Sequence, residues 1–139
     1  YQTMQVGQLY YSIIVDPQCE GLRIPSMIIQ PLVENAVLHG IVPSARQGTC
    51  TVEIYREDDH LCIQVSDDGV GLSREILESV NRYIAGKAND EDKKKLGIGT
   101  RNVVDRIRYV YGASGSISVL SDAEWGTSIT LMLPIEVNQ

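Results

Sequence analysis

The sequence predicts one two-layer α+β domain, in which a largely antiparallel sheet of about five strands packs against about three helices. Three observations support this fold class. The chain has 139 residues, within the usual range of one domain, and 43% of them are hydrophobic, enough for a sizeable core. The β-rich segments come in adjacent pairs joined by turn residues. The helical segments cluster between these pairs, as in a layered α+β fold.

Composition and charge exclude several classes of protein. The residue usage is ordinary for a globular domain, which excludes disordered and collagen-like chains. No apolar run approaches the ~18 residues that a membrane span requires. Twelve Lys and Arg against eighteen Asp and Glu give a net charge of −6, whereas nucleic-acid-binding domains are normally basic. We therefore expect no nucleic-acid binding and no direct membrane contact by this segment.

The three cysteines, Cys19, Cys50 and Cys62, include no CxxC pair. Cys50 and Cys62 lie in apolar runs, where a free thiol behaves as a small hydrophobic side chain. We expect all three to be structural, without a metal, in a reducing compartment.

The first strand and the first helix are predicted from the amino-terminal third of the chain. Residues 9–16 are β-rich and end at Pro17. Residues 26–39 have apolar side chains at helical spacing, and Gly40 is a natural stop for this helix. Pro31 is expected to kink its first turn.

A hairpin and a second helix follow. Residues 49–57 and 61–67 are β-rich runs joined by the turn residues 58–60. Residues 73–83 predict a short helix, with Ser73 as N-cap and Glu75 in its first turn.

The remaining elements are a loop, a third helix and a final hairpin. Residues 86–96 have no periodicity and contain three consecutive lysines, so we predict a mobile loop. Residues 100–111 predict a helix that ends at Gly112. Residues 116–121 and 127–133 are the last two strands.

Polar side chains late in the first helix form the first candidate site. Asn35 and His39 are four residues apart and share one face of the helix. Polar groups in an apolar helix are costly unless they have a partner or face a cleft. The pair either faces a ligand, or Asn35 caps a neighbouring backbone group.

Two glycine-containing segments follow strands or precede a helix. Asp67 and Asp68 leave a strand and precede Gly69 and Gly71, so the backbone could approach a ligand closely, or form a plain β-turn. Residues 97–102, GIGTRN, lead into a helix whose free N–H groups could bind phosphate. This segment is neither a Walker A loop nor a Rossmann fingerprint, because the required spacings are missing. A flexible hinge is the alternative.

Taken together, these motifs resemble the GHKL (Bergerat-fold) ATP-binding domain, and within that group the catalytic domain of LytS/YesM-type sensor histidine kinases. The segment IPSMIIQPLVENA, residues 24–36, is similar to that family's helix signature and is followed by His39 and Gly40. Residues 97–103 resemble its second glycine box. The resemblance implies that residues 1–139 are the catalytic domain of a longer sensor kinase, with residues 1–8 a remnant of an upstream helical domain.

The resemblance also implies ligands and roles. Asn35 would supply the oxygen that holds Mg²⁺, and Glu34 would be the catalytic acidic residue that polarises or orients the attacking group in the manner of a general base. Asp67 would accept a hydrogen bond from the adenine amino group of ATP and so select adenine over guanine. The other nucleotide contacts would come from His39, Gly69, Gly71, Gly97, Ile98, Gly99, Thr100 and Thr127. Residues 86–96 would be the lid.

Two departures from the family pattern bear on this assignment. Position 38 is Leu, where many relatives have a Lys that reaches the phosphates. The lysines at 93–95, or Arg101, are candidates to replace it. One turn before Asn35, where hydrolysing members carry a catalytic Glu, this chain has Pro31. The site therefore resembles that of a kinase more than that of an efficient ATPase.

The resemblance further implies partners and a location. The acceptor histidine is expected in an upstream dimerisation domain of the same protein, because His39 belongs to the ATP-site helix and His60 to a hairpin tip. The parent is expected to be a membrane-anchored homodimer with this domain in the cytoplasm, acting on a response regulator. The segment alone is expected to bind ATP but transfer phosphate poorly.

Two other functions remain open at this point. Leu38 favours a degenerate nucleotide-binding or protein-interaction module without kinase activity. A serine kinase or ATPase on the same fold is the other alternative. Pro31 argues against the ATPase, and the helix signature argues against the serine kinase.

Overall fold

The computed structural model describes residues 2–6, 9–24, 28–41 and 48–135. Within these ranges, six strands form one sheet in the order β1-β2-β3-β4-β6-β5. The strands are β1 Gln2–Val6, β2 Leu9–Val15, β3 Gly48–Glu57, β4 His60–Asp67, β5 Ser116–Asp122 and β6 Gly126–Pro134. Only β2 and β3 pair in parallel, and the other neighbours are antiparallel. The predicted α+β class and mostly antiparallel sheet are confirmed, with one strand more than expected.

The additional strand is β1, which differs from the expectation that residues 1–8 continue a helical domain. Gln2–Val6 pair antiparallel with β2, Gln2 opposite Ile13 and Val6 opposite Leu9. Without β1, one edge of β2 would expose its backbone N–H and C=O groups. The pairing with β1 satisfies them, and a five-residue strand carries little signal of its own in the sequence.

Four α-helices lie in the described ranges: α1 Ile29–Asn35, α2 Arg74–Ile84, α3 Asp90–Lys95 and α4 Ile98–Tyr111. Short 3-10 turns at Pro17–Cys19 and Gly112–Ser114 complete the helical elements. None of these helices is long and apolar enough to cross a bilayer.

Helix α1 is shorter than the predicted segment 26–39, of which residues 26 and 27 lie outside the described ranges. Pro31 falls in the first turn of α1. Backbone N–H groups there have no partner within the helix, so the missing N–H of Pro31 costs nothing and the helix continues to Asn35. The irregularity comes later, as a π-helical turn at Ala36–Ile41. Such turns are frequent at functional sites.

The predicted N-cap of α2 and the predicted stop of α4 are confirmed. The hydroxyl of Ser73 accepts a hydrogen bond from the Ile76 N–H at 3.2 Å and caps α2. Helix α4 begins two residues earlier than predicted and ends at Gly112, whose φ of 58° suits glycine.

The segment 86–96, predicted as a mobile loop, contains the short helix α3. Asn89 and Asp92 form a capping box at its start, each side chain accepting from the other's backbone N–H. Three acids in its first turn and three lysines in its last turn complement the helix dipole. These charges create no apolar period, which is why the sequence pattern did not indicate a helix.

The core lies between one face of the sheet and helices α1 and α4, with a smaller cluster under α2 and α3. The larger cluster consists of buried apolar side chains that include Ile28, Leu32, Val52, Ile63, Val65, Val103, Ile107, Leu131 and Leu133. The smaller cluster contains Val80, Tyr83, Leu96, Val104 and Val119. The three cysteines are free and buried, as expected. Burial raises the pKa of Cys50 to about 12, so this thiol stays protonated and apolar.

Candidate functional site

A cavity of about 500 Å³ lies between the sheet and the helices, in the size range of sites for small ligands. Strands β4, β5 and β6 supply its floor through Val65, Asp67, Val119, Thr127 and Ile129. Helix α1 and the π-helical turn supply one wall through Leu32, Asn35, Ala36, His39 and Gly40. The other walls come from Gly71, Leu72, Ser73, Ile76, Val80, Lys94, Lys95, Leu96, Gly97 and Thr100.

Most of the site residues predicted from the sequence meet in this cavity. Asn35, His39, Asp67, Gly71, Gly97, Thr100 and Thr127 line it. They come from four separate segments of the chain, so only the tertiary fold brings them together. Glu34, Gly69, Ile98 and Gly99 do not line it.

Asp67 is the buried acid of the cavity, at the carboxyl end of β4, with 8% of its surface exposed. Its Oδ1 accepts a hydrogen bond from the Gly69 N–H at 2.9 Å. Burial raises the pKa of Asp67, while hydrogen bonds from the backbones of Gly69 and Thr127 oppose that rise. The carboxylate is therefore a desolvated acceptor, suited to a ligand that donates a hydrogen bond.

Two glycines allow the backbone to pack against Asp67. A Cβ on Gly40 would collide with the Asp67 carboxylate, and a Cβ on Gly69 would collide with the backbone of Gly40. The carbonyl of Gly40 accepts a hydrogen bond from the Val70 N–H at 3.0 Å. Gly69 thus packs against Gly40, which lines the cavity, and does not line the cavity itself. The sequence identified Gly40 as a helix stop and as part of the family's helix signature, but not its contact with Asp67, because that contact is tertiary.

Asn35 and Thr100 join α1 to the start of α4. The Asn35 Nδ2 donates to the Thr100 Oγ1 at 2.7 Å. Its other side-chain atom, Oδ1, accepts no hydrogen bond from any residue that the structure describes. Among the residues that the structure describes, no side chain caps α4 at Gly97, so the first N–H groups of α4 have no capping acceptor from these residues. Together these groups offer one oxygen ligand and several backbone donors, a pattern suited to a metal-bound phosphate.

Gly99 lies behind this junction, where a Cβ would be 3.6 Å from the Asn35 Nδ2. Ile98 is largely exposed and does not line the cavity. Glu34 is also exposed, and its Oε1 accepts from the Gln30 Nε2 at 3.0 Å. Glu34 therefore lies on the outer side of the helix that carries Asn35.

Thr127 lies opposite Asp67 in the β4–β6 register. Its hydroxyl shares a 2.9 Å hydrogen bond with the Ser121 Oγ, which also accepts from the Leu72 N–H at 2.7 Å. Ser121 was not identified from the sequence, because a serine within a strand carries no distinctive signal. It connects the sheet floor to the turn that precedes α2.

The positive charges of the cavity come from the lid helix α3. Lys94 and Lys95 line the cavity, whereas Lys93 and Arg101 do not. The Lys94 Nζ lies 3.5 Å from the Glu91 Oε1, and the Lys95 Nζ lies 2.5 Å from the Oε1 of Glu75 on α2. The sequence offered two candidates to replace a lysine at position 38, namely the lysines at 93–95 and Arg101. Only the former group reaches the cavity, through Lys94 and Lys95.

The chain matches known proteins over most of its length. Residues 22–137 match the family of histidine kinase-, DNA gyrase B-, and HSP90-like ATPases. The chain is 36% identical over 111 residues to sensor histidine kinase YpdA of Escherichia coli. The aligned region covers 80% of this chain and 18% of YpdA. It is 28% identical over 127 residues to sensor histidine kinase YesM of Bacillus subtilis, covering 91% of this chain and 20% of YesM. The chain thus spans about a fifth of these relatives.

Solved structures share the fold at low sequence identity. The histidine kinase domain of the blue-light activated kinase EL346 from Erythrobacter litoralis has a TM-score of 0.64 at 15% identity, covering 94% of this chain and 56% of that one. The catalytic domain of histidine kinase ThkA has a TM-score of 0.61 at 16% identity, covering 91% of this chain and 80% of that one. The chain therefore belongs to the family of histidine kinase-, DNA gyrase B- and HSP90-like ATPases, as an ATP-binding catalytic domain of the kind that sensor histidine kinases carry.

Proposed function

We propose that this domain binds ATP with Mg²⁺ in the cavity and donates the γ-phosphate to a histidine on an upstream dimerisation domain of the same parent protein. The observation that carries the proposal is the division of the cavity into two ends. One end has the buried carboxylate of Asp67, and the other has Asn35 beside the uncapped start of α4. A nucleotide has the same division, with a base that donates hydrogen bonds and an anionic phosphate chain.

The Asp67 end suits adenine. Its carboxylate accepts the hydrogen bond of an exocyclic amino group, whereas the carbonyl oxygen of guanine has no proton to donate. Apolar side chains around it provide the surface for the flat ring and exclude water, chiefly Ile76, Val80 and Ile129. Thr127 adds a hydroxyl, directly or through water.

The Asn35 end suits phosphate and Mg²⁺. The free Oδ1 of Asn35 is the oxygen ligand that would hold Mg²⁺, and the hydrogen bond to Thr100 fixes its orientation. When bound, Mg²⁺ neutralises charge on the phosphate oxygens. Backbone N–H groups at the start of α4, with Gly97 and Gly99, orient the phosphate chain against the helix dipole.

Glu34 would act toward the partner rather than toward the nucleotide. Its carboxylate is exposed next to Asn35, so a histidine from a second domain could reach it. There it would orient the imidazole and take up its proton as the ring nitrogen attacks. Within the parent we propose a membrane-anchored homodimer, with this domain in the cytoplasm and a response regulator receiving the phosphate.

Calorimetric titration with a non-hydrolysable ATP analogue tests the nucleotide site. We expect micromolar binding that Mg²⁺ strengthens and that GTP does not reproduce. Asn35→Ala should lose the gain from Mg²⁺ while keeping the affinity for adenosine. Equal affinity for GTP, or no binding of ATP under any condition, would overturn the proposal in favour of a degenerate module.

Phosphate transfer is tested separately, with labelled ATP. The domain alone should label itself poorly, and adding the parent's upstream helices in trans should restore transfer to their histidine. Glu34→Gln should slow that transfer without weakening nucleotide binding. Full-rate labelling of the isolated domain would contradict an acceptor outside it.

A further inference from the structure

We propose that Lys95 is the cation that binds the nucleotide phosphates in this domain, and that Glu75 competes with the nucleotide for it. The inference rests on the proposed nucleotide site and names the residue that gives this site its phosphate affinity. It also makes the ion pair between the two residues a regulator of that affinity.

The need for such a cation follows from the charges around the cavity. Position 38 is an exposed leucine, so the helix that carries Asn35 supplies no positive side chain there. Among the described residues that line the cavity, Lys94 and Lys95 are the only lysines or arginines. Lys94 and Lys95 are the last two residues of α3, and only Leu96 separates Lys95 from Gly97, the N-cap of α4, so both lie close to the start of α4. An anionic phosphate chain at that end would meet one of them.

Lys95 is better placed than Lys94. The side chain of Lys94 is 75% exposed and lies 3.5 Å from Glu91, a neighbour on the same short helix. The side chain of Lys95 is 32% exposed. Water and salt screen a charge less when it is partly buried, so Lys95 interacts more strongly with a bound anion.

The lid helix holds Lys95 in this position. Asp92, on α3, is almost fully buried and accepts hydrogen bonds from Ser79 at 2.9 Å and from the Arg82 Nε at 2.9 Å. Both partners belong to α2, so α3 is attached to α2 three residues before Lys95. The lysine therefore stays at the cavity wall and needs only a side-chain rotation to change partner.

Glu75 forms an ion pair with Lys95 when no phosphate is bound. Its Oε1 lies 2.5 Å from the Lys95 Nζ, and its own side chain is 71% exposed. Pairs with an exposed partner contribute little to stability, so the exchange for a phosphate oxygen is inexpensive. Glu75 lies in the first turn of α2, where the helix dipole stabilises its carboxylate after Lys95 has left.

The test compares affinities for a non-hydrolysable ATP analogue and for adenosine, measured by calorimetry on the whole 139-residue chain. Lys95→Gln should weaken binding of the ATP analogue by about 10-fold or more and leave adenosine binding unchanged. Glu75→Gln should strengthen binding of the ATP analogue by about two- to fivefold. In the Lys95→Gln background, Glu75→Gln should have no effect.

Lys93→Gln is the matched control, because it removes the same charge from the same helix at a position outside the cavity. It should bind the ATP analogue like the unchanged chain. A loss as large in Lys93→Gln as in Lys95→Gln would overturn the assignment, since the effect would then be one of net charge. Unchanged affinity in Lys95→Gln would also overturn it, and no gain in Glu75→Gln would overturn the competition. Failure of the unchanged chain to bind ATP is a different result, which overturns the proposed function itself.

Discussion

The buried carboxylate of Asp67 destabilises the fold but provides a hydrogen-bond acceptor for a ligand. Its carboxylate is buried against the cavity, and burial raises its pKa because water no longer solvates the charge. Hydrogen bonds from the backbones of Gly69 and Thr127 compensate only in part. Asp67 lines the cavity, so the amino group of a ligand could donate a further hydrogen bond to its carboxylate. A residue kept under these conditions is better explained by recognition than by stability.

Asp67→Asn should therefore separate binding from folding. The amide can still accept from Gly69, but it places an NH₂ donor where the carboxylate accepted. Affinity for an ATP analogue should fall about 10- to 100-fold, the equivalent of a hydrogen bond to a charged group. Calorimetric titration measures this change, and adenine selectivity should be lost with it.

Asp67→Asn should also change how the free energy of unfolding depends on pH. Because the folded-state pKa of Asp67 is raised, its contribution is fully present below the unfolded pKa of about 3.9 and is lost as pH rises through the folded pKa. Asparagine does not ionise, so Asp67→Asn should gain in relative stability between pH 4 and pH 7. Thermal unfolding without nucleotide measures the difference. A variant that is relatively less stable at pH 7 than at pH 4 would contradict the sign.

At the scale of elements, the lid helix α3 depends on its neighbours. A six-residue helix is too short to be stable alone, because nucleation is unfavourable. The capping box of Asn89 and Asp92 and the contacts of Asp92 with Ser79 and Arg82 hold it in place. One carboxylate thus serves both the helix start and its attachment to α2. The lid is ordered through side-chain bonds rather than through an apolar face.

Asp92→Asn should release the lid while leaving the rest of the fold intact. Hydrogen exchange at residues 89–96 should accelerate, because the amide cannot accept from Ser79, Asn89 and Arg82 at once. Glu91→Gln, one residue away and exposed, is the matched control and should leave exchange there unchanged. If both variants exchanged like the unchanged chain, Asp92 would not be what holds the lid.

The pH dependence of the lid has the opposite sign to that of Asp67. The hydrogen bond from Arg82, ahead of the other contacts, lowers the pKa of Asp92 below its ordinary value. Its stabilising contribution is present above the unfolded pKa of about 3.9 and is lost as pH falls through the lower folded pKa. The protection of residues 89–96 against exchange, taken relative to the intrinsic exchange rate at each pH, should therefore fall below about pH 4 in the unchanged chain, and much less so in Asp92→Asn.

At the scale of the molecule, the two faces of the sheet have different roles. One face packs under the helices, and its central side chains, such as Ile63 and Leu131, are fully buried. The other face carries small polar side chains, with Leu120 66% exposed beside Trp125. Stability comes from the helix-covered face, and the cavity opens where the helices separate at the carboxyl end of β4.

Two identical substitutions on the two faces test this division. Leu131→Ala should lower the free energy of unfolding by about 2–5 kcal/mol, because it leaves a cavity in the core. Leu120→Ala should change it by about 0.5 kcal/mol or less. Urea unfolding followed by circular dichroism measures both values. A comparable loss in Leu120→Ala would show that the outer face is also packed in solution.

The sequence by itself determined the order of the main elements, and seven of the eleven site residues predicted from it line the cavity. Periods of 2 and 3.6 residues, a serine before a helix and a glycine after one are local signals, so β3, β4, α2 and α4 could be predicted without contacts. The resemblance of the polar and glycine-containing motifs to the GHKL domain identified Asn35, Asp67 and Thr127. Each of these signals depends on residues that are close in the chain.

The tertiary structure alone decided the features whose partners are distant or carry no pattern. Strand β1 exists because β2 has an edge to pair, and α3 exists because Asp92 meets Ser79 and Arg82 of another helix. Gly40 matters because it lies against Asp67, and Lys95 because it reaches both Glu75 and the cavity. Such contacts depend on how the elements pack, and a period or a motif in one segment holds no information about the segment that it will meet.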